Sequence, residues 1–277
     1  MSVVAAPNKQ GLILRVSFYV LLAWMGLLVF PVMLPLGGIV VTSTLSTFAA
    51  AAVANAVVVR IYECGRLTDV GLGWSSSSPR EFLIGTVAGI AAVGCVVLVP
   101  VALGIAKFQR TPVVVEHPWT SFAFGSLALF FGAMGEELLF RGYAFQLLIR
   151  SVGPFSTILP TSVIFGLMHS ENRDVTALAI VNTVAWGILL GYAVWRTGAL
   201  WLPIGLHFGW NVALPLLGSN LSGFTMGVTG YVLEWNVGVL WSGGGYGVEG
   251  SLLTTGIVVA LFLALRKLIP QATMPES

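Results

Sequence analysis

The sequence predicts an all-α, polytopic membrane bundle of about eight transmembrane helices, and three observations predict it. In a chain of 277 residues, 57% belong to the hydrophobic set and only 9% are charged, against about 25% charge in soluble domains. The apolar residues gather into stretches of about 20, the length that crosses a hydrocarbon layer of roughly 30 Å. Only short turn-like breaks separate them, with neither a soluble insertion nor an internal repeat, so residues 1–277 read as one transmembrane domain.

The stretches run over residues 12–35, 39–59, 82–104, 120–148, 154–169, 175–195, 198–217 and 251–267. The breaks are "PLGG" (35–38), "GLGWSSSSPR" (71–80), "SENRD" (170–174) and "RTG" (196–198). The first stretch is too long for a signal-peptide core and has no small-residue cleavage site after it, so it is expected to stay in the protein. In the third, Gly85 and Gly89 have the spacing that lets two helix backbones approach closely.

Basic residues near span ends favour the cytoplasm. With the N-terminus inside, the inner set is Lys9, Arg15, Arg60, Arg66, Arg80, Arg150, Arg196, Arg266 and Lys267; the outer set is Lys107, Arg110 and Arg173. That bias predicts both termini in the cytoplasm. Residues 218–250 contain no Lys or Arg but carry Tyr231, Trp235 and Trp241, as an outer interfacial loop does. A net charge of +2, scattered along the chain, is no nucleic-acid footprint. Cys64 and Cys95 form neither a disulfide framework nor a C-x-x-C metal site, and are expected to be inert.

Within this apolar background stands "GEELLFRG", residues 135–142. Each centred charge costs on the order of 3 kcal/mol on insertion scales, so Glu136, Glu137 and Arg141 need compensation. Glu137 and Arg141, four apart, share a helical face and can pair. Glu136 is rotated about 100° from Glu137 and must point to other polar groups. "FGLMHS" puts Phe165 and His169 on one face of the fifth stretch, and "LHFGWN" does the same for His207 and Asn211 in the seventh. A carboxylate, two imidazoles and an amide drawn from three spans suit hydrolysis: Glu136 as general base on a water, one His orienting that water or ligating a metal, and His207 with Asn211 donating to an oxyanion. His117, in "VVVEHPWT", reads as a bland loop residue. Intramembrane Glu, His and Arg also mark ion pathways, so a proton-coupled transporter is one alternative, and a non-catalytic immunity or scaffold protein is another.

E-E-x-x-x-R, F-x-x-x-H and H-x-x-x-N, in this order on successive spans, resemble the motif set of the CAAX protease and bacteriocin-processing family, which includes the type 2 CAAX prenyl endopeptidases. "GGGYGVEGSLL" (243–253) is similar to a Gly-rich segment before the last helix of bacterial members. The resemblance covers roughly residues 70–265. It implies an intramembrane endopeptidase with Glu136 as water-activating base, His169 as its partner and His207 with Asn211 holding the oxyanion or a metal. Glu137, Arg141 and Phe165 would support them. A zinc ion on Glu136, His169 and His207 and a metal-free mechanism both stay open, and H-E-x-x-H is absent.

The expected surroundings are membrane lipid and a peptide or membrane-protein substrate, in a prokaryotic cytoplasmic membrane where a prenylated substrate is disfavoured. One conflict remains inside this reading. His207 falls near mid-membrane, whereas His169 falls at the outer end of its stretch. Either the fifth span is shorter and tilted, bent at its start by Pro154 and Pro160, or "SENRD" folds back beside a water-filled cavity.

Overall fold

The computed structural model describes residues 7–34, 38–111 and 118–268. His117 and most of "PLGG" lie outside them. The described chain is a helical bundle: α1 (Lys9–Met33), α2 (Ile39–Glu63), α3 (Ser78–Ala102), α4 (Pro118–Arg141), α5 (Tyr143–Val152), α6 (Pro154–Leu167), α7 (Ala177–Thr197), α8 (Trp201–Leu216), α9 (Val239–Ser242) and α10 (Leu252–Leu268). Two five-residue strands, β1 (Ala106–Arg110) and β2 (Tyr231–Trp235), pair antiparallel.

The all-α bundle stands, but the spans are less uniform than eight equal stretches. Among the described residues, five helical segments are long and apolar enough to cross a membrane: α1, α2, α3, α7 and the run Trp119–Val152 that joins α4 to α5. The other three expected stretches form helices of 14, 16 and 17 residues, α6, α8 and α10. Hydropathy averages over turn residues as readily as over helical ones, so it overstated the lengths of α6 and α8, while α10 has the length expected of the last stretch. Residues 218–250 are also more than a loop, since they contain β2, α9 and two short 3₁₀ turns, Gly244–Tyr246 and Val248–Gly250.

The stretch 120–148 is broken at Gly142, and the break is held by side chains from α1 and α2. Asn55 Nδ2 donates to the carbonyls of Ala51 (2.7 Å) and Leu138 (3.0 Å), and Asn55 Oδ1 accepts from the Tyr143 amide (2.7 Å). Tyr19 donates its hydroxyl to the Leu139 carbonyl (2.8 Å). Backbone groups freed at a helix break inside lipid need such internal partners. A Cβ at Gly142 would collide with Asn55 Oδ1 and with the Leu138 carbonyl.

Glycines set the closest helix contacts. Gly85 and Gly89 on α3 meet the backbone of Leu202, Leu206 and Trp210, while Gly205 and Gly209 on α8 meet the carbonyls of Phe82 and Thr86. The expected G-x-x-x-G of α3 is therefore matched by a second one on α8, and His207 lies between its glycines. Gly209→Leu is expected to force these backbones apart, costing at least about 1–3 kcal/mol by overpacking and lowering the thermal midpoint of the purified protein. A midpoint equal to wild type would show that the contact is not needed. On the other side of α4, Gly132 abuts Thr44 and Gly135 abuts the backbone of Phe48, which brings α2 against the acidic turn.

Two buried clusters result. One joins α1, α2 and α5 through Tyr19, Val58, Phe145 and neighbours; the other joins α3, α7, α8 and α10 through Val93, Leu189, Leu214 and Val258. The outward faces of α1 and α3 remain apolar, as at Ile13, Leu28, Leu83 and Val87, as surfaces in contact with lipid should be. Cys64 and Cys95 are exposed free thiols.

Candidate active site

The acidic turn of α4 divides as helical geometry requires. Glu137 and Arg141 are buried, 0% and 1% exposed, and pair at 3.3 Å. The Arg141 guanidinium also donates to the Gly187 carbonyl of α7 (3.1 Å) and lies 4.6 Å from the Phe165 ring centroid. Glu136, one residue earlier, leaves this face and lines a cavity of about 380 Å³ between the helices.

Glu137 does more than offset Arg141. Its Oε1 also accepts from His207 Nδ1 at 2.9 Å, a link between α4 and α8 that the sequence does not reveal. Because a carboxylate can only accept, Nδ1 of His207 carries the proton, and in the neutral ring the lone pair sits on Nε2. That Nε2 lies 3.8 Å from Glu136 Oε2. Glu136 Oε2 is buried and accepts no hydrogen bond.

His169 lies just beyond α6, in the turn that follows Leu167, and its Nδ1 meets the Phe165 carbonyl at 2.8 Å. The same logic puts its proton on Nδ1 and its lone pair on Nε2. Phe165 packs its ring 4.8 Å from His169 and 6.4 Å from His207, so the F-x-x-x-H pair spaces the two imidazoles. Asn211, one turn beyond His207 on α8, lines the cavity together with Glu136, His169 and His207.

The two imidazoles that the sequence reading placed at different depths line one cavity. Helix α6 has only 14 residues, about 21 Å at 1.5 Å per residue, and ends at Leu167, just before His169. Within the following segment Asn172 is half-buried, while Gly223 abuts the Arg173 carbonyl and Gly245 abuts Asp174. His169 and Asn172 consequently face the same cavity as His207.

Four residues were expected at the site, and the structure brings all four to one cavity. Other lining residues were not singled out. Ser43, Thr44 and Thr47 of α2 form a hydroxyl row, Trp186 and Trp210 pack with ring centroids 4.8 Å apart, and Glu249 reaches in from the Gly-rich segment. The signal for Glu249 was legible, because an acid inside an otherwise apolar, Gly-rich stretch needs a partner as much as "GEELLFRG" does.

Burial pushes the Glu249 carboxyl above the usual carboxylate range, against donors from Ser222 and Trp210 and the neighbouring His169. Burial also pushes the Tyr246 phenol up to about 12, helped by the charge of Glu249 and opposed by contacts with Ser222, Asn172 and Thr183.

The zinc alternative can be tested against the donor set. Among the described residues, no three His, Cys, Asp or Glu side chains are grouped so that they could hold a metal ion. Glu136, His169 and His207 share the cavity without forming such a ligand set, so they do not fit a three-ligand zinc site as placed.

The cavity therefore has a buffered, buried ion pair behind it and a carboxylate, two imidazoles and an amide in front. No curated protein matches the chain. Residues 118–213, which contain all the residues of the three motifs, match the family model "Rce1-like: Type II CAAX prenyl endopeptidase Rce1-like", so this segment of the chain is similar to that family.

Proposed function

We propose that this protein is an intramembrane endopeptidase that hydrolyses a peptide bond of a membrane-associated protein or peptide through a water activated by Glu136. The observation that carries the reading is Glu136 Oε2, which accepts no hydrogen bond and lies 3.8 Å from His207 Nε2, in a cavity shared with His169 and Asn211.

In this reading Glu136 takes a proton from water as the water oxygen attacks the peptide carbonyl carbon. The oxyanion that forms receives hydrogen bonds from the Asn211 amide and from Nε2–H of His207 in its doubly protonated form, whose charge the Glu137 carboxylate compensates. The C–N bond then breaks, and the leaving nitrogen takes the proton held by Glu136. His169 flanks the carbonyl from the end of α6. Arg141 holds Glu137, and through it the ring of His207. No step is routed through a metal. The basic-residue bias supports an orientation with both termini in the cytoplasm.

The test is a mixed quenched-fluorescent peptide library incubated with the purified full chain in lipid nanodiscs made with oxygen-18 water. Hydrolysis predicts cleavage with one heavy oxygen in each new carboxyl terminus. A library left intact, or cleavage without label, would sink the proposal.

A further inference from the structure

Among the described residues, Glu249 is the acid lining the cavity that the proposed reaction does not use. It belongs to the 3₁₀ turn Val248–Gly250, and it joins three separate segments beside the site. Its Oε1 accepts from Trp210 Nε1 of α8 at 3.1 Å. Its Oε2 accepts from the Ser222 amide, and from the Ser222 hydroxyl at 3.2 Å. The turn that carries it is itself fixed, since Asn182 of α7 donates to the carbonyls of Glu249 and Ser251, both at 2.8 Å.

Ser222 occupies a conformation that needs support. Leu221 and Phe224 exchange backbone hydrogen bonds of 2.9 and 2.8 Å across a two-residue turn. Both central residues have positive φ, 49° at Ser222 and 85° at Gly223. Glycine adopts this region freely, but serine does so at a cost. Both amides of the turn are clamped by the Gly-rich segment, Ser222 by the Glu249 carboxylate and Gly223 by the Tyr246 carbonyl at 2.9 Å. Leu221, Ser222 and Phe224 all line the cavity, and Trp210, the other partner of Glu249, precedes Asn211.

We propose that Glu249 is a positioning residue for substrate binding: it latches the Leu221–Phe224 turn in place as one wall of the peptide-binding cavity. The proposal rests on the endopeptidase reading. Glu249 acts through Ser222 and Trp210 and takes no part in the proton transfers. A carboxylate suits this role because it only accepts, and it meets three donors. Glutamine at the same position would turn an NH₂ toward one of them.

Two measurements on the full chain in nanodiscs separate this from a role in folding alone. The first is amide hydrogen exchange, which needs no substrate. In Glu249→Gln the segment 221–224 should exchange at least about tenfold faster than in wild type, while α7 and α8 keep their protection. Equal exchange in the two proteins, or loss of protection throughout, overturns the latch. Should Glu249→Gln fail to assemble, Trp210→Phe removes one of the three donors and is read in the same way.

The second measurement is kinetic, on the library peptide cleaved fastest by wild type. KM should rise about tenfold, with kcat within about threefold of wild type. A fall in kcat at unchanged KM would place Glu249 in the chemistry and overturn the assignment. If wild type cleaves no peptide, the endopeptidase reading fails, and hydrogen exchange still decides the latch.

Discussion

Glu136→Gln is expected to lower peptide cleavage by about 10²–10⁴-fold while the protein still assembles. The side chain is 30% exposed to the cavity and its Oε2 accepts no hydrogen bond, so an isosteric amide removes the base without orphaning a partner. Stability should therefore move by no more than about 0.5 kcal/mol, whereas loss of a general base lowers the rate by about 10²–10⁴-fold. The check is the initial cleavage rate of the best library peptide, beside the thermal midpoint and elution profile of the same preparation. Activity within about threefold of wild type would remove Glu136 from the mechanism. The same variant separates the alternatives, because an immunity or scaffold protein would keep its function and a transporter would show altered pH-dependent flux.

Arg141→Met has the opposite signature, with loss of folded protein as the primary effect. Methionine fills much of the volume over Phe165, but it leaves the Glu137 carboxylate, 0% exposed, without its guanidinium and strips the Gly187 carbonyl of a donor. Removing one partner of a buried pair costs about 3–5 kcal/mol, while replacing both ions by neutral groups of similar volume is far better tolerated. The double variant Arg141→Met with Glu137→Gln should therefore recover much of the monodisperse yield that the single variant loses. Its activity should stay at least about tenfold below wild type, because His207 Nδ1 then faces an amide instead of a carboxylate. A single variant as stable as wild type would mean that the pair contributes nothing to the bundle. A double variant with full activity would mean that Glu137 does not orient His207.

The two variants separate two tasks carried by adjacent residues. Glu136 and Glu137 differ by one position and about 100° of helical rotation, which puts one carboxylate at the cavity and the other at the ion pair. Sequence spacing foretold that division. It also foretold the close approach at Gly85 and Gly89, because a run of small residues at four-residue steps has few other uses in an apolar helix.

Other features depended on residues far apart in the chain. The break at Gly142 falls inside a stretch that hydropathy reads as one continuous span, and what holds it is Asn55, 88 positions from the Tyr143 amide it caps. The bond from His207 to Glu137 spans 70 positions, and that from Trp210 to Glu249 spans 39. Hydropathy carries no information about such pairs. It averages over a window, while a hydrogen bond is set by two atoms.

The sequence by itself determined the solvent, the helical class and the identity of the polar groups that must be compensated, because all three follow from composition and from a period of 3.6 residues. The tertiary structure alone decided which imidazole stands next to Glu136, and that His169 and Glu249 line the same cavity. Those outcomes depend on distances between helices, and helices meet where glycines let their backbones touch, a contact that no single stretch of sequence specifies.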